Sequence, residues 1–336
     1  MRDKPVAGGL LAALLCLTAY PSSKAEPLSA ALEITTRPIT RFLIGADQQK
    51  FGRLTFVGGL EMVSRQQHFG AISGVDLAGD TIWLVTDTGF WVRGTLQRAE
   101  NGAPVSVSAA TIGEITAKDG ARFSKKWEAD AEGIAIADNN DVYISFERDH
   151  RIARYKWDNG QLEFVHDEEP PVPLYELRQN RGFEGIAVAP ETFTHPRAIV
   201  GISEKSLDKA RNIMGFVNPP GPGNAYEFSL RRTDNYDVTD IDFFPNGDLL
   251  VLERRFNLSQ GISMRLREIS AETLTKRATV DGKILLEADM RYQIDNMEGL
   301  AITPMGDGQV RLTLVSDDNK SLLQRNLLLE FALDLD

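Results

Sequence analysis

The chain has 336 residues, of which 42% are hydrophobic and 25% charged, and a net charge of −11. This is an ordinary globular composition with enough apolar material for a large core. Its acidity argues against a nucleic-acid or anionic-membrane binder and suits divalent cations instead.

In chain order, residues 1–25 read as a secretory signal peptide. Arg2 and Lys4 give a basic start, Val6 to Ala19 an apolar run too short to span a bilayer comfortably, and Ser23-Lys24-Ala25 small residues where a signal peptidase reads. An uncleaved anchor is the alternative. Cleavage after Ala25 predicts a periplasmic or extracellular protein free of the membrane. It also removes Cys16, the only cysteine, so the mature chain has no disulfide, and it takes the net charge to −13. Residues 26–49 form an N-terminal extension, and residues 50–336 read as one domain.

That domain repeats. Five segments each open on a small polar or acidic residue, run into an apolar strand, turn, and return in a second apolar strand. The openers are Ser73, Glu132, Glu184, Asp240 and Glu298, spaced by 52 to 59 residues. The second strands end on Asp87, Glu147, Glu204, Glu253 and Asp317. Turns such as Asp138-Asn-Asn-Asp and Pro245-Asn-Gly-Asp between short apolar runs are hairpin signals. Four strands at this period describe one blade of a β-propeller. The fold class is therefore all-β, with five repeats plus a composite sixth from the two chain ends predicting six blades; five blades is the alternative. The segment Arg53–Met62 has no repeat of its own and is expected to pair with the chain's end, closing the ring and removing its open edges. Helical stripes are absent, and Ser270 to Thr275 is at most a short helical turn.

In a propeller the first strand of each blade lines the central channel, and the antiparallel second strand returns to the same mouth. The openers and the second-strand ends should therefore ring one mouth, giving nine carboxylates: Glu132, Glu184, Asp240, Glu298, Asp87, Glu147, Glu204, Glu253 and Asp317. Such a ring must take up protons or bind cations. Carboxylates with carbonyls and water are the ligands Ca²⁺ asks for. Without a mature cysteine or histidines at ligand spacing, soft metals fit poorly. The plainer alternative is that these are solvated strand ends. Arg148, Lys205 and Arg254 follow the second strands and either form structural ion pairs or clamp a small anionic ester. His150, on the loop at the same face, is the candidate general base, or else an ordinary loop histidine. There is no Gly-x-Ser-x-Gly elbow, no His-Glu-x-x-His helix and no phosphate-binding loop.

The strings Phe56-Val-Gly-Gly-Leu-Glu-Met, Phe69-Gly-Ala-Ile-Ser-Gly-Val, Asp130-Ala-Glu-Gly-Ile, Gly182-Phe-Glu-Gly-Ile-Ala-Val and Asn296-Met-Glu-Gly-Leu resemble the bacterial phytase-like family, "esterase-like activity of phytase". The resemblance covers about residues 50–333. More distantly the repeat is similar to gluconolactonase and paraoxonase propellers, where an acid or Asn opening the inner strand holds Ca²⁺. Position by position that implies Glu132, Glu184, Asp240 and Glu298 here; Ser73 departs from the pattern, and no opener is Asn. The resemblance implies hydrolysis of phosphate or carboxylic esters. A non-catalytic propeller with a structural ion is the other reading.

Overall fold

The turns expected between the paired runs put residues that tolerate a left-handed backbone where it is required. Asn140 has φ +66° and Gly247 φ +94°, each reversing the chain between the first and second strands of a repeat. The computed structural model describes residues 28–335 except 173–176, 178–181 and 307; the signal-peptide reading lies outside the described residues.

Among the described residues the strands form five sheets, each built outward from an inner strand. Blade I runs Ile72–Ala78, Thr81–Thr86, Phe90–Arg98 and Pro104–Glu114, with Ser29–Leu32 on its outer edge. Blade II is Ala131–Ile136, Asp141–Phe146, Arg151–Asp158 and Gln161–Glu168. Blade III is Phe183–Val188, Ile199–Leu207, Ile213–Asn218 and Tyr226–Leu230, edged by Thr279–Val280. Blade IV is Asp237–Phe243, Leu249–Asn257, Gly261–Ile269 and Lys283–Asp289. Blade V is Asn296–Gly306, Gln309–Asp317, Asn326–Asp334 and Leu54–Val63, edged by Thr35–Ile39. Among the described residues, the helix near blade IV's outer strands is the single 3-10 turn Ala271–Thr273.

The molecule is thus an all-β propeller of five blades, and the six-bladed count does not hold. The reason is the closure itself. The last repeat supplies three strands, and Leu54–Val63 pairs antiparallel with Asn326–Asp334 as the fourth, so the two chain ends complete one blade rather than adding another. The inner strands lie side by side in ring order, blade V meeting blade I. Five hydrophobic clusters fill the five junctions between neighbouring blades; the one between IV and V includes Phe42, Phe56, Phe244 and Phe331, and the one between I and II Trp83, Trp91 and Tyr155. Leu54, Phe56, Leu60 and Met62 of the closing strand are buried, in two different junctions. Deleting residues 54–63 should therefore leave Asn326–Asp334 with an unpaired edge and strip apolar cover from both junctions. The expected result is an aggregating protein on size-exclusion chromatography; a soluble deletion variant with an unchanged melting curve would show that this strand does not hold the ring.

Candidate functional site at one mouth of the channel

Every inner strand carries a β-bulge near its start. The pairing registers skip Ser73 in blade I, Glu184 in blade III, Thr239 in blade IV and Glu298 in blade V, and the irregularity in blade II spans Glu132. A bulge leaves one residue out of the ladder and re-aims its side chain. In blades I, II, III and V the residue after the bulge is glycine, for a steric reason. A Cβ on Gly133 would sit 2.3 Å from the Glu184 carbonyl oxygen, one on Gly74 2.8 Å from that of Glu132, and one on Gly299 2.9 Å from the Val75 nitrogen. The inner strands pack so closely there that only a hydrogen fits.

This register corrects blade IV. Asp240 lies one residue past the bulge, at the glycine position, and Thr239 takes the place of the other blades' acids. Asp240 is not part of the mouth: its oxygens accept from Ile241 N at 2.8 Å and Leu300 N at 2.7 Å, clasping blade IV to blade V lower in the channel. Asp76 and Asp242 clasp their neighbouring blades through Ile136 and Ile302 in the same way, and line a cavity of about 400 Å³ at the channel's far end. The same offset moves the second strand. Ser203, Ser316 and Glu253 pair at equivalent positions, so the mouth position of blade IV is Arg254, matching Asp87, Glu147, Glu204 and Asp317. Glu253 is wholly buried between strands, held by Arg265 at 2.5 Å and Arg267 at 2.5 Å, and does not join the ring.

The other carboxylates do converge. Asp130, Glu132 and Glu147 bring carboxylate oxygens within 4.8 Å of one another, and so do Glu147, Glu184 and Glu204. Burial pushes Glu132 and Glu184 well above the usual carboxylate range, and repulsion from each other's neighbourhood adds to it. Glu147 is raised to about 7, chiefly by burial, despite a hydrogen bond from the Gly182 backbone. Glu298 and Asp317 are likewise raised to about 7, burial again leading. Asp87 and Asp130 are raised by burial too, although Arg148 and Lys126 stand near both.

The cations are unevenly placed. Arg254 bonds Glu298 at 2.8 Å, lies 3.8 Å from Glu204, and also donates to Asn296. Arg148, half exposed, bonds Asp130 at 2.8 Å. Lys205 turns instead to Asp237, which Arg232 also holds at 2.7 Å, so it is committed to a pair outside the ring. Among the described residues, no Lys or Arg comes within 4.0 Å of Glu132, Glu147 or Glu184. His150 reaches the site: a Cβ on Gly182 would meet its Nδ1 at 2.8 Å and the Glu147 Cγ at 3.4 Å, so His150 and Glu147 close on Gly182 together.

Four mouth groups were missed by the sequence reading. Asp130, two residues before Glu132, was signalled by the string Asp130-Ala-Glu-Gly. Thr239 was signalled by aligning Ile241 with Ile186 rather than acid with acid. Lys126 and Lys320, which both act on Asp87, sit on irregular segments that carry no repeat signal. Among the described residues no helix is long and apolar enough to cross a membrane.

A family model described as phytase-like, esterase-like activity of phytase, matches residues 67–320. Among solved structures, the chain is similar to the PQQ-bound aldose sugar dehydrogenase of Streptomyces coelicolor, with 14% identity, 89% of this chain and 99% of that one covered, and a TM-score of 0.39. It is also similar to the glutaminyl cyclase of Myxococcus xanthus, with 13% identity, 80% and 92% covered, and a TM-score of 0.42. Likeness this loose carries no argument about the site.

Proposed function

The chain belongs to the phytase-like family, esterase-like activity of phytase, and from that premise we propose that it is an exported, Ca²⁺-dependent hydrolase of phosphate or carboxylic esters acting at the carboxylate mouth. One observation carries the reading: Glu147 brings a carboxylate oxygen within 4.8 Å of those of Glu132 and Glu184, and among the described residues no Lys or Arg pairs with any of the three. Buried carboxylates persist in such a cluster only if protons or a cation compensate them. The donors are all oxygen, which fits Ca²⁺ and disfavours thiolate- or imidazole-seeking metals.

Asp130, Glu132, Glu147, Glu184 and Glu204 would hold the ion. Bound there, it would supply polarisation of an ester oxygen and a water of lowered pKa. Arg148 is 51% exposed at the rim and is placed to orient an anionic oxygen. His150, beside Glu147, is placed to take the proton of the attacking water. Arg254, paired with Glu298, offsets part of the burial that raises that carboxyl and holds it at the mouth. The basic, apolar and small-residue series at the N-terminus supports export to the periplasm or beyond, where Ca²⁺ binds exposed sites of modest affinity.

The test uses the purified mature chain with p-nitrophenyl phosphate and p-nitrophenyl butyrate, each with Ca²⁺ and with EDTA. Hydrolysis of at least one ester should need Ca²⁺, and His150→Ala should lower its kcat by roughly a hundredfold. Arg148→Ala should lower turnover of the phosphate ester by tenfold or more while sparing the neutral ester. If Ca²⁺ binds and neither ester is turned over, the propeller is a binding module with a structural ion.

A further inference from the structure

The far end of the channel breaks the repeat at one position. Counted onward from the residue at each bulge, the third residue is Asp76 in blade I, Ala135 in II, Ala187 in III, Asp242 in IV and Ala301 in V. The three alanines are buried. The fold therefore closes three of its five junctions with a methyl group where blades I and IV carry a carboxylate. Asp76 Oδ2 accepts from Ile136 N at 2.6 Å, and Asp242 Oδ2 from Ile302 N at 2.6 Å. These clasps account for one oxygen of each side chain, but the alanines show that the ring does not need them.

Both carboxylates line the same cavity of about 400 Å³. Its walls are inner-strand side chains, among them Ile134, Ile136, Ile186, Val188, Phe243 and Leu300. The polar residues at its rim are already engaged: Glu191 pairs with Arg197 at 3.0 Å, and the Thr192 hydroxyl donates to the Pro245 carbonyl at 2.6 Å. Burial raises Asp76 to about 7 and pushes Asp242 well above the usual carboxylate range, with repulsion from Asp76 adding to it. Among the described residues no Lys or Arg offsets either one. We propose that this cavity is a binding site for a small organic cation, a primary ammonium on an apolar stem, with Asp76 and Asp242 as its anionic acceptors.

The chemistry of the walls selects that class. Small-molecule sites are concave, mostly apolar and carry a few placed polar groups. A carboxylate offers about four lone-pair sites. Backbone N–H groups take two on Asp76, from Leu77 and Ile136, and two on Asp242, from Phe243 and Ile302. Acceptor capacity is left for the three N–H donors of an ammonium, while the isoleucine and leucine walls cover its stem. An anion would be repelled by both carboxylates. Ca²⁺ asks for six to eight oxygen ligands, and apolar side chains supply none. The site is independent of the carboxylate mouth and of the activity proposed for it.

The experiment is calorimetric titration of the mature chain, in Ca²⁺ buffer, with n-hexylammonium and with its neutral counterpart 1-hexanol. One hexylammonium per chain is expected, with hexanol binding at least tenfold more weakly. Asp76→Asn keeps an oxygen for the Ile136 N–H, and Asp242→Ala restores the residue type of blades II, III and V. Each should weaken hexylammonium by tenfold or more, with circular dichroism establishing that the variant is folded. Glu147→Gln, at the opposite mouth, should leave hexylammonium binding unchanged. Equal binding of the amine and the alcohol, or no binding of the amine, overturns the cation site and leaves the two aspartates as clasps between blades. Binding lost in Glu147→Gln but kept in Asp76→Asn would place the amine at the mouth and overturn it as well. Displacement of hexylammonium by further Ca²⁺ in the Glu147→Gln chain would make the cavity a metal site instead.

Discussion

Stripped of divalent ions, the protein should melt at a lower temperature at pH 8 than at pH 5.5, and added Ca²⁺ should narrow the difference. Glu147, Glu298 and Asp317 have folded-state pKa values of about 7, above the 4.5 and 3.8 of the free side chains. A carboxyl whose pKa is raised by folding binds its proton more tightly in the folded chain than in the unfolded one, so stability falls as pH rises between the two values. The penalty is absent below about pH 4, grows through the interval, and is complete above about pH 8. Each unit is worth about 1.4 kcal/mol. Because these groups repel one another and share protons, the total is on the order of several kcal/mol, or roughly 5–10 °C in Tm for a domain of this size. Asp208 and Asp289, whose pKa values are lowered, work in the opposite sense, but they are ionised in both states across this window and add no slope. Ca²⁺ binds the ionised form, so it stabilises most at high pH. Asp76, also raised to about 7, and Asp240 and Asp242, pushed well above the usual carboxylate range by burial, lie lower in the channel and should keep a residual slope even with Ca²⁺. Scanning fluorimetry at five pH values, with EDTA or with Ca²⁺, checks this. A Tm without EDTA-dependent pH slope would mean that the mouth carboxylates are not held against their charge.

The blades were legible in the sequence because a propeller repeats its chemistry at every junction. Glycine after the opener is required wherever a Cβ would come within 3 Å of the next inner strand, so Glu-Gly-apolar strings mark three of the five channel strands and Ser73-Gly-Val a fourth. Blade IV was misread because its glycine position carries Asp240, whose carboxylate bonds the Leu300 backbone and so turns the close approach into a hydrogen bond. Matching acid to acid slides both strands by one residue and puts Asp240 and Glu253 in the ring, where the structure has Thr239 and Arg254. In a strand that slip changes the face a side chain points to. The blade count failed for a different reason. Whether Leu54–Val63 starts a blade or finishes one depends on which strand it pairs with, and nothing within its own sequence says that the partner is Asn326–Asp334.

The blade IV correction makes the sharpest contrast between two glutamates. Glu253→Gln should cost about 3–5 kcal/mol of stability with or without Ca²⁺. Its Oε2 accepts from Arg265 Nε at 2.5 Å and its Oε1 from Arg267 Nη2 at 2.5 Å, all three side chains being buried. An amide there would turn an N–H₂ group toward guanidinium donors and leave two cations against one neutral group. Arg265 would keep Thr233 and its stacking on Tyr236, and Arg267 would keep Asp281, so the fold should survive at a reduced Tm. Glu147→Gln should do the reverse. Removing one charge from an overcrowded mouth should raise the metal-free Tm at pH 8, while the Ca²⁺-induced rise shrinks or disappears. The two variants carry the same single substitution, one at the end of blade II's second strand and one within blade IV's, so thermal melts of both, at pH 8 with EDTA and with Ca²⁺, give a crossed pattern. Should Glu253→Gln instead abolish the Ca²⁺ response and leave the metal-free melt unmoved, Glu253 would belong to the ring, and the register of blade IV, with Arg254 at the mouth, would be wrong.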